Sequence, residues 1–365
     1  MRRIILALVF LVFATPAFAD TVLGIAGPFT GQMASFGEQF KRGADMAVSD
    51  INAKGGVLGQ KIALAYGDDA CDPKQAVAVA NQLVSKKIAA VIGHFCSGSS
   101  IPASEVYAEE NIVMVSPGSS NPLFTERGLG NVFRLCGRDD QQGLIGAEYI
   151  AKNYGSAKVA IVHDRSAYGK GLADEVKRVL ATKKITPAMY EAITPGEKDY
   201  SALISKMKAA QIEIVFFGGY HQEAGLIVRQ AKDQAMNLKL MGGDALATKE
   251  FWAITGDSGA GTLMTFSPDP RTMPSAAPVV ERFKKAGIDP EGYTLYTYAT
   301  MQVLAQAAQK AGSWNSNDLL KILHNGKFDT VMGPLSFGAK GDVNAPGYVV
   351  YEWKGGKYVY AANGS

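Results

Sequence analysis

Short apolar runs and helix-length stretches take turns along almost the whole chain, and no other feature limits its fold so strongly. TVLGIAG precedes a helical pattern over 36–53, KIALAYGDD one over 73–87 and AAVIGHF one over 97–109, after which IVMVS follows. Continuous apolar strands alternating with helices predict a parallel sheet covered on both faces. The stretch NVFRLCGRDDQQG interrupts the rhythm, which then starts again. KVAIVHD leads to a helix over 168–182, AMYEAIT to 200–210, EIVFFGG to 222–234, and KLMGGDA to a short helix. Two doubly wound α/β lobes with parallel central sheets are expected.

The proline-rich loop SPDPRTMPSAAP is followed by helical patterns over 277–286 and 293–311 that have no strands of their own to cover. The chain is therefore expected to return to the first lobe there. It crosses again in the strand-rich tail YVVYEWKGGKYVY. The lobes read as 20–138 plus 268–345 and 139–267 plus 346–365, joined by a three-segment hinge that lets them close over a ligand.

Residues 1–19 have the pattern of a cleaved secretory leader: Arg2 and Arg3, an apolar stretch from Ile4 to Phe13, then Pro16 and the small-residue site Ala17-Phe18-Ala19. That stretch is too short to span a bilayer, and no later segment is long and apolar enough, so an exported, soluble chain in the periplasm is expected. Removing two of the 37 basic residues and none of the 34 acidic ones leaves 35 against 34. This near-neutrality supplies no attraction for nucleic acid or an anionic membrane. Almost 350 mature residues suffice for two cores. In an oxidising compartment two of the three cysteines, Cys71, Cys96 and Cys136, pair and leave one over, unless all three are buried thiols.

Catalytic signatures are missing: GxSxG, HExxH, GxxxxGK[ST] and CxxC do not occur, and the four histidines have no partners at metal-ligand spacing. No enzyme, cofactor or metal is expected. The strand ends offer instead a set of groups suited to a small zwitterion. In open parallel sheets ligands bind beyond the carboxyl ends of the strands. Ser97 follows the run ending HFC and Ser120 the run IVMV, each near an expected helix start whose free N–H groups attract an anion. The same serines also serve as plain helix caps. Tyr168, Tyr220 and Asp244 follow strands of the second lobe, giving aromatic walls and one acid for an ammonium group. Core packing and capping are the alternatives for these three.

The stretches YGDDACDPKQAVAVANQLV, VIGHFCSGSSIPASEVY, IVHDRSAYGKGLA, TPGEKDYSALI, FFGGYHQEAGLI and DTVMGPLSF closely resemble the periplasmic leucine/isoleucine/valine-binding proteins of ABC transporters. The likeness runs through nearly the whole mature chain. It implies the type I periplasmic binding fold and capture of a branched-chain or related aliphatic amino acid, unaltered, for an inner-membrane permease; a monomer is expected. By resemblance, Ser97 and Ser120, with the backbone of Gly118 and Ser119, bind the α-carboxylate. The Gly118 carbonyl and Asp244 take the ammonium, supported by Asp139. Tyr168 and Tyr220 close over the ligand, Phe36 and Tyr293 line its side-chain pocket, and Cys71 pairs with Cys96. Asp244 stands where better-known members have Glu, Ser120 where they have Thr, Phe36 where Tyr is common, and Gly118-Ser119 where they have two alanines. A same-fold carrier of another small carboxylate or amide has no use for Asp244, and a ligand-sensing module is a further alternative.

Overall fold

A computed structural model describes residues 20–344 and 347–362; the leader expected at 1–19 lies outside them. The first lobe contains β1 (Thr21–Gly27), α1 (Ala34–Ala53), β2 (Ile62–Asp68), α2 (Pro73–Ser85), β3 (Ala90–Ile92), α3 (Ser97–Glu109), β4 (Val113–Ser116), the single turn α4 (Leu123–Glu126) and β5 (Val132–Arg134). These five strands form one sheet in the order β2-β1-β3-β4-β5, parallel throughout.

The second lobe contains α5 (Asp139–Tyr154), β6 (Val159–His163), α6 (Ala167–Thr182), β7 (Met189–Ala192), α7 (Ser201–Ala209), β8 (Ile214–Gly218), α8 (His221–Asp233), β9 (Lys239–Gly242), α9 (Lys249–Thr255) and β10 (Leu263–Phe266). The chain then passes back to the first lobe with α10 (Ala277–Lys285), α11 (Thr294–Ala311), α12 (Ser316–Asn325) and the hairpin β11 (Phe328–Thr330) and β12 (Gly333–Leu335). Helix α11 lies against α1 so closely that a Cβ at Gly43 would come within 2.3 Å of the Thr294 carbonyl oxygen. Finally β13 (Val349–Lys354) and β14 (Lys357–Tyr360) extend the second sheet to β14-β13-β10-β9-β8-β6-β7.

Local chemistry explains several boundaries. Asp72 caps α2 by accepting from the Gln75 N–H at 2.8 Å, with Pro73 at the first helical position, where its missing N–H costs nothing. Ser166 caps α6 through the Gly169 N–H at 2.8 Å.

Two features depart from expectation. The second sheet is not wholly parallel: β13 runs antiparallel to β10, and β14 to β13. The Gly355-Gly356 turn, whose φ values of 55° and 77° suit a two-residue hairpin, makes β14 double back on β13; the direction of β13 itself is set by its entry from the last crossing between the lobes. Helix α5 falls in and beyond the stretch that seemed to break the rhythm. Its polar first turn hides the apolar face, and Gly143 and Gly146 allow close packing: a Cβ at Gly146 would lie 3.2 Å from the Phe216 ring.

Candidate functional site

Strand order places the site. In the first sheet the order reverses between β1 and β3, and in the second between β6 and β8, so crevices open at the carboxyl ends of these strands. Phe95 and Ser97 follow β3, Gly118 follows β4, Tyr168 and Tyr220 follow β6 and β8, and Asp244 follows β9. Together with Ala245 and Tyr293 they line one buried pocket between the lobes.

The first-lobe wall is built from the turns after β3 and β4. Ser97 opens α3, so its own N–H and that of Gly98 precede the first intrahelical bonds, which run from Ser99 and Ser100 to the Cys96 carbonyl. The Ser97 hydroxyl accepts from the Asn121 N–H at 3.2 Å. Ser116 organises the next turn: its hydroxyl donates to the His94 carbonyl at 2.7 Å and accepts from the Ser119 N–H at 2.9 Å. Beneath it Arg134 is completely buried and donates to the carbonyls of Ser119 at 2.7 Å and Asn121 at 3.0 Å, to Thr125 Oγ1 at 2.7 Å and to Asp342 Oδ1 at 2.7 Å. One guanidinium thus holds the whole 119–125 loop.

Asp244 is the centre of the opposite wall. Tyr168 donates to its Oδ1 at 2.7 Å, and Tyr293 reaches across from the first lobe to its Oδ2 at 2.5 Å. The Asp244 N–H donates to Gln142 Oε1 at 3.1 Å. Burial raises the Asp244 pKa, and the Tyr293 and Tyr168 hydroxyls and Gln142 pull it back. Burial and the Asp244 charge push both tyrosines well above the usual phenol range, so they stay hydroxyl donors.

Asp139 begins α5 close to Asp244. Its N–H donates to the Ser120 carbonyl at 2.9 Å, yet neither carboxylate oxygen has a partner of good hydrogen-bond geometry. Burial first, then the charge of Asp244, raise its pKa well above the carboxylate range; the nearby Ser120 hydroxyl and Arg134 offset this in part. Burial thus raises both acids, Asp139 with no hydrogen bond to its carboxylate, while the Tyr293 and Tyr168 hydroxyls favour the charged form of Asp244. The linkage has a definite sign. A raised native pKa means the folded state holds more protons than the unfolded one, so this contribution to stability falls as pH rises from the ordinary value of 3.8 through the raised native value. Asp164 and Glu291, both raised to about 6 by burial, act in the same direction. Asp139→Asn, which copies the neutral acid, is expected to flatten the decline of melting temperature with pH and to raise the melting temperature at neutral pH. An unchanged profile in thermal melts across this range would contradict the assignment.

The structure brings Ser97, Gly118, Tyr168, Tyr220, Asp244 and Tyr293 together at the pocket and corrects the place expected for Phe36 and Ser120, which with Ser119 and Asp139 lie off its lining. Phe36 stands behind the wall, stacked on Phe95 with ring centroids 4.2 Å apart. The Ser119 hydroxyl turns away to the Phe95 carbonyl at 2.8 Å, because the turn of Ser116 directs it there. Ser120 is buried but opens no long helix, since only the single turn α4 follows it. Asp139 lies beneath the pocket rather than on its surface. Phe95, Ala245 and Gln142 were missed. For Phe95 the available signal was an aromatic residue directly before Cys96 and Ser97. A roomier groove of about 350 Å³, lined by Glu213, Lys239 and Thr262 among others, lies where β8, β9 and β10 begin, the wrong end of the sheet for a ligand site of this fold. Among the described residues no cluster of His, Cys, Asp and Glu is suited to hold a metal.

Cys71 and Cys96 form a disulfide with Cα atoms 5.6 Å apart, and Cys136 is a buried free thiol. The bond ties the loop before α2 to the start of α3. Its sequence separation of 25 implies about 3 kcal/mol of stabilisation by restricting the unfolded chain. Replacing both cysteines by serine is expected to lower unfolding free energy by about that amount. Peptide mapping without reduction and urea titration check it; Cys136 found bonded to either partner would contradict the pairing.

Two α/β lobes with a buried, polar-ended pocket between facing strand ends define a bilobal small-molecule binding protein. Residues 21–357 match the periplasmic binding protein family, and the chain belongs to that family. Its architecture is that of the type I members. A Leu/Ile/Val-binding protein homolog from Brucella abortus is 49% identical over 351 residues, covering 94% of each chain. An amino acid binding protein from Pseudomonas aeruginosa is 50% identical over 349 residues, covering 94% of this chain and 93% of its own. The solved structure of a leucine binding protein from Thermotoga maritima superposes with a TM-score of 0.86 at 26% identity, over 94% of this chain and 98% of that one.

Proposed function

We propose that this protein is the substrate-binding component of an ABC transporter, capturing a free branched-chain or related aliphatic L-amino acid between its lobes and delivering it, unaltered, to an inner-membrane permease. The observation that carries the reading is Asp244, a buried carboxylate set across the pocket from the open N–H groups at the start of α3. One wall supplies an anion for an ammonium, and the other supplies donors for a carboxylate. In this assignment Ser97 and the amides of the first turn of α3 hold the carboxylate, the Gly118 carbonyl and Asp244 hold the ammonium, and Tyr168 and Tyr220 cover the ligand. Ser119, Ser120 and Asp139 support the wall from behind. Residues 1–19 direct export to the periplasm and are cleaved. The named relatives from Brucella and Pseudomonas support the amino-acid class.

A thermal-shift panel of the common amino acids, small carboxylates and amides tests the reading. An aliphatic amino acid is expected to raise the melting temperature, since a ligand at a thousandfold excess over its dissociation constant adds about 4 kcal/mol. If only aromatic acids or amides shift it, the ligand class is wrong while the bilobal carrier stands.

A further inference from the structure

We propose that Lys249 of the second lobe, paired with Asp289 and Glu291 of the first, is a clasp made only when the lobes meet, and that it sets how slowly a bound amino acid leaves. This rests on the amino-acid reading above and extends it to residues that touch no ligand. Two short segments face each other across the cleft. On the second lobe, residues 244–249 run from the turn that carries Asp244 to the first residue of α9; on the first, residues 289–293 lead into α11. They meet from the pocket outward. Innermost, the Tyr293 hydroxyl donates to Asp244. Next, a Cβ at Gly292 would come within 2.8 Å of the Ala247 carbonyl oxygen, so the two backbones are in close contact. At the outer edge Lys249 Nζ lies 2.8 Å from Asp289 Oδ2, and the Lys249 N–H donates to Glu291 Oε2 at 3.1 Å.

The first-lobe side of the clasp is held in place by its own neighbours. Arg271, on the segment that crosses from β10 to α10, donates to both oxygens of Asp269 at 3.0 Å, reaches Asp289 Oδ1 at 3.1 Å and lies over the Tyr358 ring. Gln39 Oε1 accepts from the Tyr293 N–H at 2.8 Å and fixes the other end of the segment. Partners ordered beforehand lose less freedom when they meet. The Lys249 and Asp289 side chains are 56% and 38% exposed, so the pair adds little to folding. Its effect falls on closure. Freeing a ligand parts the lobes, and because both contacts lie on the same two segments, the outer pair breaks together with the Tyr293–Asp244 bond. A contact present only in the closed form slows opening and leaves the approach of ligand to the open form unchanged.

Stopped-flow intrinsic fluorescence with valine, alongside isothermal titration, tests this. Lys249→Met is expected to raise the dissociation rate about two- to fivefold, the range that exposed ion pairs span. Lys249→Glu, which sets like charges face to face, is expected to raise it about tenfold or more. Association rates stay within about twofold, so the dissociation constant rises in proportion. Lys249→Arg restores parental behaviour. Added salt screens an exposed pair, so the parental dissociation rate is expected to climb with salt and that of Lys249→Met to stay flat. Lys183→Met, which removes the pair of Lys183 with Glu148 inside the second lobe, is expected to leave both rates unchanged, and both methionine variants to keep the melting temperature of the ligand-free parent. A parental dissociation rate in Lys249→Glu overturns the proposal, as does a Lys183→Met variant that matches Lys249→Met. A parent that binds neither valine nor any other amino acid ends the amino-acid reading and this inference with it, a result readily told from unaltered rates in the variants.

Discussion

Asp244→Asn is expected to weaken amino-acid binding by about 2 to 5 kcal/mol, because a cation enclosed in a dry cleft is left without its counter-charge. That is about thirtyfold to several thousandfold in dissociation constant. The substitution preserves shape: the amide oxygen still accepts from one of the two tyrosine hydroxyls, and the other hydroxyl turns to accept from the amide NH2, so the main loss is one of charge. Folding is expected to move the other way. Burial raises the Asp244 pKa, which means the ionised form opposes folding of the ligand-free protein, and removing the charge keeps or raises the melting temperature. Weaker binding with undiminished stability separates a ligand role from a structural one. Ser97→Ala is expected to cost only about 1 to 3 kcal/mol in binding, since the open N–H groups of α3 remain. Titration of both variants that placed Ser97→Ala above Asp244→Asn would contradict the assignment of the two ends.

Arg134→Ala has the largest expected effect on stability. The guanidinium is buried and serves four acceptors: two loop carbonyls, Thr125 and Asp342. Asp342 comes from the segment between β12 and β13, so a single side chain ties the 119–125 loop to the hinge. Removing one partner of a buried ion pair costs about 3 to 5 kcal/mol. Arg134→Lys keeps the charge without the planar fork and is expected to restore only part of the loss. Urea denaturation measures it. A loss below about 1 kcal/mol in Arg134→Ala would place this arginine among the weak surface pairs.

The fold was legible because burying both faces of a parallel sheet demands continuous apolar strands, and KVAIVHD or EIVFFGG leave little choice of element. The tail was harder, since periodicity gives no strand direction: β13 takes its direction from the last crossing between the lobes and β14 from the Gly-Gly turn. Within the site, Ser97, Tyr168, Tyr220 and Asp244 stand directly at strand ends, where the topology itself aims them at the crevice. Gly118 and Tyr293 came from the family resemblance alone. Ser119, Ser120 and Asp139 share those chain positions but turn to backbone partners or lie beneath the pocket, a distinction made by rotamer and hydrogen bonding that strand-end position does not reveal. Phe95 went unnoticed for a related reason: an apolar ring after a buried strand reads as core, and its place on the pocket wall follows from its stacking on Phe36 and its fit over Gly118.

The central claim is that both ends of an α-amino acid are held, one on each lobe. Its most direct test is titration with valine and with the two molecules that keep its side chain but lack one end, 3-methylbutanoate and 2-methylpropan-1-amine. Valine is expected to bind, and each truncated analogue to bind at least about thirtyfold more weakly, as unpairing one buried charge requires. Binding of 3-methylbutanoate as tight as that of valine would contradict the account, because Asp244 would then face no ammonium.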